Sequence, residues 1–357
     1  MTTTTRIDPT VWVDDPAAFM SDCLGAEFYP KQVAMAESVR DHRRTAVLGC
    51  NSSGKDYAAG RIILWWQSTR YPAKTIVLGP THRQVSDIVW QEARAAYRVA
   101  SYRAAPGLGG FMYPRASRWY ADPQHYALGF ATDDAMHIQG FHSPNLLAVL
   151  TEAHAITQQD IEAVKRLNPS RILLTGNPLS AAGEFFEAFH PVSAEQAGLY
   201  STITISAFDT PNLLYPDDPP VAGMVTAEDI AERRAEWGEE SALYVAGILG
   251  RFPDSLDDAV VPRNLLLEAV DKTLPAWNED QPPRGVLSVD VARFGADKTV
   301  IYRRQGGRCT LVGRWQGRDT QEVAGLVGKM AVDDNTIERI VVDDSGVGGG
   351  VTDRLRE

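Results

Sequence analysis

The run Gly49-Cys50-Asn51-Ser52-Ser53-Gly54-Lys55-Asp56 constrains this chain more than any other stretch. It fits the glycine frame and lysine of a phosphate-binding loop, G-x-x-x-x-G-K, yet carries Asp where Ser or Thr normally holds magnesium. Arg44-Thr45-Ala46-Val47-Leu48 before it reads as a short buried strand, and Ala58 to Trp66 after it as a helix with apolar spacing. Strand, loop and helix in that order are the setting the motif needs. Glycines let backbone N–H groups close around phosphate, and the helix N-terminus adds its partial positive charge. Gly49, Asn51, Ser52, Ser53, Gly54 and Asp56 would form the cradle, with Lys55 neutralising the β- and γ-phosphates.

A second acidic motif is expected at the end of a neighbouring strand, and Leu146 to Leu150 is followed by Thr151-Glu152-Ala153-His154. An Asp-Glu pair is usual here, Asp to hold magnesium and Glu to orient or deprotonate the attacking water. Glu152 is kept, while Thr151 stands in the Asp position. The usual pair is a loop hydroxyl with a strand carboxylate; this chain offers a loop carboxylate, Asp56, with a strand hydroxyl, Thr151. A ligand exchange around magnesium explains both departures, and a degenerate site without turnover is the rival. Thr175-Gly176-Asn177-Pro178 ends a further strand, where Asn177 would sense the γ-phosphate; the plain alternative is a turn. Gln32 is a candidate adenine reader, with helix capping as its alternative. An arginine for the developing γ-phosphate charge stays unassigned among Arg43, Arg44, Arg115 and Arg118.

The buried runs Thr75 to Gly79, Leu146 to Leu150 and Arg171 to Thr175 alternate with helical stretches, one of them opening at Thr81 and running to about Val99. That alternation predicts an α/β fold, a mostly parallel sheet with helices on both faces. This phosphate-loop domain spans 1–252 and includes a small charged helical lid near 224–250. A proline- and acid-rich linker over 253–283 follows. From 284 to 357 the pattern becomes three strands, a helix and a fourth strand, the opening of a ribonuclease-H-like domain. Asp290 and Asp297 flank its first turn, and Asp343 and Asp344 end its fourth strand. Buried together these acids would repel, and divalent metals would resolve the repulsion. Two such ions about 4 Å apart activate water and stabilise the leaving oxygen of a phosphodiester. The alternative is a set of turn-forming aspartates. The glycines after Asp344 suggest phosphate binding, but no lysine follows them. The chain ends at Asp353-Arg354-Leu355-Arg356-Glu357 without the further carboxylate such a nuclease draws from its C-terminal part. The expectation is therefore an N-terminal portion of a longer protein or a truncated product.

Composition narrows the classes. With 357 residues, 44% hydrophobic and 23% charged, the chain reads as globular and long enough for two cores. No apolar run nears the ~20 residues of a membrane helix, and the start Met1-Thr2-Thr3-Thr4-Thr5-Arg6 lacks a signal-peptide core. Cys23, Cys50 and Cys309 are scattered without metal spacing, so a reducing cytoplasm is the default. A formal net charge of -11 argues against a generally basic surface for nucleic acid and leaves room for a local patch.

Taken in order, Tyr29-Pro30-Lys31-Gln32, Gly49 to Asp56, Thr151 to His154, Thr175 to Pro178, Ile205 to Asn212, Gly250 to Pro253 and the two aspartate strands resemble the large terminase subunit of tailed bacteriophages. The resemblance covers nearly the whole chain. It implies an ATP-driven motor that pumps double-stranded DNA into a procapsid through the portal protein, with a nuclease that cuts concatemeric DNA. It further implies magnesium with ATP, magnesium or manganese at the nuclease, a small terminase subunit as partner, a ring on the portal, and the host cytoplasm. Under it, Lys55 and Glu152 carry over as phosphate binder and catalytic carboxylate, and Asp290 and Asp343 as metal ligands. The family's arginine position falls in Ile138-Gln139-Gly140 and is not filled. A helicase-like ATPase with a non-cleaving second domain, and a nucleotide-binding scaffold with a degenerate site, stay open.

Overall fold

Four strands of near-continuous apolar sequence lie side by side because helices cover both faces of their sheet. The computed structural model describes residues 9–102, 108–132, 140–191, 193–253, 265, 268–270, 272–274, 276–278, 281–292, 297–344 and 346–357. The chain divides into two compact units, Met1–Asn264 and Leu265–Glu357, and the divide falls inside the proline-rich stretch 253–283.

In the first unit the strands are β1 (Arg44–Gly49), β2 (Ala73–Gly79), β3 (Phe111–Met112), β4 (Arg118–Asp122), β5 (His125–Ala131), β6 (Asn145–Leu150), β7 (Arg171–Gly176) and β8 (Ser201–Ile205). They form one sheet in the order β3-β4-β5-β2-β6-β7-β1-β8. All pairings from β5 to β8 are parallel; only β3–β4 and β4–β5 are antiparallel. The helices are α1 (Pro16–Asp22), α2 (Pro30–Asp41), α3 (Lys55–Thr69), α4 (Trp90–Tyr102), α5 (Gln158–Arg166), α6 (Gly183–Phe189), α7 (Pro211–Leu214), α8 (Ala227–Trp237) and α9 (Ala242–Gly247). Alternation along the strands assigns side chains to two cores. Val47, Leu147 and Val149 meet α1 to α4, while Ala46, Leu48, Leu146, Ala148 and Leu150 meet α5 and α6. A strand buried on both faces has no polar side to show, which is why the sequence runs read as unbroken.

The helix expected from Thr81 differs at its start. Gln84–Val89 is a π-helical turn that feeds α4, and its Asp87 and Ile88 line one cavity with Ser52 to Lys55. The expected lid resolves into α8 and α9. The first opens with a Thr226/Asp229 capping box, and the second with Ser241 accepting from the Tyr244 N–H.

In the second unit β9 (Gly285–Asp290), β10 (Lys298–Gln305), β11 (Arg308–Gln316) and β12 (Ile337–Val342) form a sheet in the order β11-β10-β9-β12. The first three are antiparallel and β12 runs parallel to β9. Between β11 and β12 lies the helix Thr320–Asp333, opened by an Asp319/Glu322 capping box. Leu287, Val289 and Ile301 on one sheet face pack against Val323, Ala324 and Val327 of this helix and Val351 of the helix Gly349–Arg356. Among the described residues no helix is long and apolar enough to cross a membrane.

Candidate functional site: a phosphate-binding loop and a carboxylate cavity

β1 delivers the loop at the C-terminal edge of the parallel sheet, and α3 begins immediately after it. Gly54, at φ +72°, is the N-cap of α3 and has no side chain to cap the first turn, whose N–H groups stay available for an anion. A Cβ on Gly54 would also lie 2.7 Å from Gln32 Nε2. Lys55 folds back over its own loop, with Nζ donating to the Cys50 carbonyl at 3.1 Å and lying 3.5 Å from Ser53 Oγ. Two side chains from the start of α2 brace the loop from outside. Tyr29 donates its hydroxyl to the Ser53 carbonyl at 2.6 Å, and Gln32 Nε2 donates to the Gly54 carbonyl at 3.1 Å. The adenine role expected for Gln32 thus shares that side chain with a loop contact, while Gln32 still lines the adjoining cavity.

The two departures from the motif meet. Thr151 Oγ1 donates to Asp56 Oδ1 at 3.0 Å. Burial pushes the Asp56 carboxyl up, against Lys55 and the Thr151 hydrogen bond, which pull it down. Glu152 follows at φ +50°, a left-handed backbone rare outside glycine. Of the three non-glycine residues with positive φ among the described residues, Ser52, Glu152 and Asn168, two belong to this site. Such strain collects at functional positions. Burial also raises the Glu152 carboxyl, offset by Lys55 and reinforced by Asp56. Its Oε2 lies 3.3 Å from His154 Nδ1, and burial, then Lys55, lowers the His154 pKa, so that ring is neutral at pH 7. One strand, β7, separates β1 from β6, and it contributes Asn177. Asn177 Nδ2 donates to the Gly49 carbonyl at 3.0 Å and to Asn51 Oδ1 at 2.9 Å. The side chain of Asn177 thus bridges onto the loop while its carbonyl accepts from the Leu179 N–H at 2.9 Å in a tight turn.

A cavity of about 480 Å³ opens beside Ser52, Ser53, Gly54 and Lys55. Its walls include Tyr29, from the motif Tyr29 to Gln32, and Tyr57, Asp87, Glu92 and Met224, which did not stand out in the sequence. Arg61 sets two of them, lying 3.1 Å over the Tyr57 ring and pairing with Glu92 at 3.1 Å. Among the described residues no arginine lines this cavity. Arg43 and Arg44 sit at the far end of β1, held by Asn168 and stacked on Tyr200. Arg118 stacks on Tyr113 and Tyr120, and Arg115 is exposed. Ile138 and Gln139 lie outside the described residues.

In the second unit, Asp290, Asp297 and Asp343 line one cavity of about 850 Å³ together with Ser288, Lys298, Tyr302 and Arg314. Parallel pairing of Val342 with Val289 brings the ends of β12 and β9 together, and the Asp343 N–H donates to the Val289 carbonyl at 2.9 Å. Three expectations change here. The aspartates are exposed, not buried together, because the sheet face that bears them is uncovered. Asp344 is absent from the cavity lining. The glycines after it make a tight turn, since a Cβ on Gly348 would overlap the Asp343 carbonyl, and so they serve the chain reversal into the last helix. Among the described residues no three His, Cys, Asp or Glu side chains converge closely enough to enclose a metal ion.

Loop, bridging Asn177, acidic strand end and sheet order define a P-loop NTPase fold for the first unit. The crystal structure of the HK97 bacteriophage large terminase shares the chain's fold, with a TM-score of 0.51 at 12% identity over 92% of this chain and 73% of that one. The Thermus phage P74-26 large terminase ATPase domain matches with a TM-score of 0.47 at 15% identity, over 66% of this chain and 98% of that one. A large terminase from a thermophilic bacteriophage, in complex with ADP, matches with a TM-score of 0.47 at 13% identity, over 92% of this chain and 80% of that one. No protein-family model matches this chain, and no curated protein matches it in sequence.

Proposed function

We propose that this chain is the ATP-hydrolysing motor of a viral DNA-packaging machine, with a metal-dependent endonuclease in its second unit. The observation that carries the motor reading is the pair Asp56–Thr151 beside Lys55 and Glu152, with Asn177 bridging the loop. Lys55 and the first-turn N–H groups of α3 hold the β- and γ-phosphates. Glu152 orients a water and takes its proton as the water oxygen bonds to the γ-phosphorus; the bond to the β–γ bridging oxygen breaks, and ADP and phosphate leave. Asp56 and Thr151 offer hard oxygen donors that suit magnesium, which would neutralise phosphate charge when bound. Asn177 touches both Gly49 and Asn51, so a change at the γ-phosphate reaches β7 directly. With no arginine among the described residues of the cavity, a neighbouring copy in a ring supplies that charge. The shared fold with the HK97 large terminase supports the DNA-packaging reading.

In the second unit Asp290 and Asp343 are the residues that would hold a magnesium or manganese ion to activate water on a DNA phosphodiester. ATP turnover by the full chain, with and without double-stranded DNA, tests the motor: Lys55→Ala should remove it. Turnover equal in wild type and Lys55→Ala would sink the reading. Portal protein, procapsid and small terminase subunit are the partners it calls for, in the cytoplasm of a phage-infected host.

A further inference from the structure

The carboxylate cavity also contains an arginine brought there by an irregularity in the sheet. Directly opposed residues of neighbouring antiparallel strands point to the same face. Asp290 opposes Val300, and Val300 opposes Arg314, so the three form one row across β9, β10 and β11. The next row is Ser288, Tyr302 and Leu311. Counted by simple alternation from Leu311, Gly313 would share that face and Arg314 would point into the core. The register shift between Ile301 and Tyr302 inserts Val312 as an extra residue, and Arg314 emerges beside the aspartates. The core side fixes this register. Gly313 opposes buried Ile301, and Trp315 packs against the core with its ring 2.5 Å from where a Gly313 Cβ would stand. Bulges of this kind re-aim single side chains next to active sites.

Arg314 makes no ion pair among the described residues, whereas Arg303, Arg318 and Arg354 of the same unit each pair with a carboxylate. Two strand spacings, about 10 Å between backbones, separate Arg314 from Asp290, and both line the same cavity without pairing. A guanidinium facing carboxylates across such a gap suits an anionic ligand at its own end of the cavity, with Asp290 and Asp343 the residues that would hold a cation at the other. A planar fork of donors matches phosphate oxygens in a way lysine does not. We infer that Arg314 is the phosphate-binding residue of this cavity, holding the non-bridging oxygens of a DNA phosphodiester while Asp290 and Asp343 face its other side. The inference rests on the nuclease reading above.

The test is cleavage of supercoiled plasmid with manganese by the full-length protein that contains this chain, comparing wild type, Asp290→Ala, Arg314→Ala, Arg314→Lys and Arg304→Ala. Arg304 is a basic residue of the same sheet outside the cavity lining. Arg314→Ala should cut about tenfold more slowly, mainly through a raised KM for DNA, and its salt dependence should flatten by about one phosphate contact. Arg314→Lys should recover part of this, Arg304→Ala should stay near wild type, and the melting temperature of Arg314→Ala should be unchanged. Wild-type cleavage by Arg314→Ala, or an equal loss in Arg304→Ala, with Asp290→Ala inactive, overturns the role of Arg314 and leaves the nuclease standing. Cleavage in Asp290→Ala equal to wild type, or none in wild type, removes the nuclease reading and the inference with it.

Discussion

Asp56 and Thr151 share one hydrogen bond, and that contact decides how the nucleotide loop is to be tested. Replacing Asp56 with Ala removes both the loop carboxylate and the acceptor for the Thr151 hydroxyl. Magnesium-dependent ATP turnover should fall at least about a hundredfold, since a metal's contribution is several kcal/mol and each 1.36 kcal/mol is about tenfold. Nucleotide binding without magnesium, followed by fluorescence of a nucleotide analogue, should persist because Lys55 remains. Unchanged turnover in Asp56→Ala would refute the ligand exchange. A second residue-scale prediction concerns His125, which is buried and accepts at Nδ1 from the Ala73 N–H at 3.2 Å. Its Nε2 lies 2.8 Å from the Gln67 carbonyl, so the neutral Nε2–H form satisfies both contacts. Burial lowers its pKa below the ordinary 6.5, with the Gln67 hydrogen bond opposing. The unfolded chain then binds the proton more readily, so stability is full above about pH 6.5 and declines as pH falls below it. Thermal unfolding of wild type from about pH 7.5 to 5.5 should show that decline, and His125→Asn should flatten it at a lower starting stability.

Helix α3 is where local sequence and packing bind most tightly, for it is buried along nearly its whole length. It can lie so close to α4 only because Gly60 has no side chain: a Cβ there would sit 2.7 Å from the Ala93 nitrogen and 3.0 Å from Glu92 Cβ. Arg61 then ties the two helices by stacking on Tyr57 and pairing with Glu92. Gly60→Val should push α4 away and cost about 1–3 kcal/mol, the usual range for overpacking. Calorimetry measures the loss, and a weaker nucleotide affinity should accompany it, since Tyr57 and Glu92 both line the cavity. An unchanged melting temperature would mean that the helices part without strain. The strands were readable for the opposite reason: β1, β2, β6 and β7 are buried on both faces and leave unbroken apolar runs. β3, β4 and β5 escaped notice because they lie toward one edge of the sheet, where burial is partial and the apolar pattern breaks up.

For the molecule as a whole, the described residues that line each cavity come from one unit only. The two chemistries should therefore separate by mutation. Lys55→Ala should lose ATP turnover and keep manganese-dependent cleavage, while Asp290→Ala should do the reverse, both assayed on the full-length protein that contains this chain. Loss of both activities in either variant, with the fold intact by circular dichroism, would contradict two independent sites. The net charge of -11 has its counterpart in the cavity beside the loop, whose described lining holds Glu27, Asp56, Asp87 and Glu92 against Lys55. Under the proposed function, like charges gathered there would favour entry of a nucleotide with its metal over the bare anion.

Sequence alone marked the loop, the acidic strand end and the two departures at Asp56 and Thr151, because each stands inside a short motif with a fixed chemical meaning; the contact between those two, and the bridge from Asn177 to the loop, came from the fold. It also gave the alternation of the buried strands β1, β2, β6 and β7 with helices, since burial on both faces is a local signal. Only the tertiary structure decided what touches what. Tyr29 and Gln32 brace a loop some twenty residues further on, Arg61 aligns two cavity walls, and the aspartates of the second unit stay exposed on an open sheet face. Arg314 is the clearest case. Its side of the sheet depends on one extra residue in a register between strands, and pairing across strands leaves no mark in the order of residues along one of them.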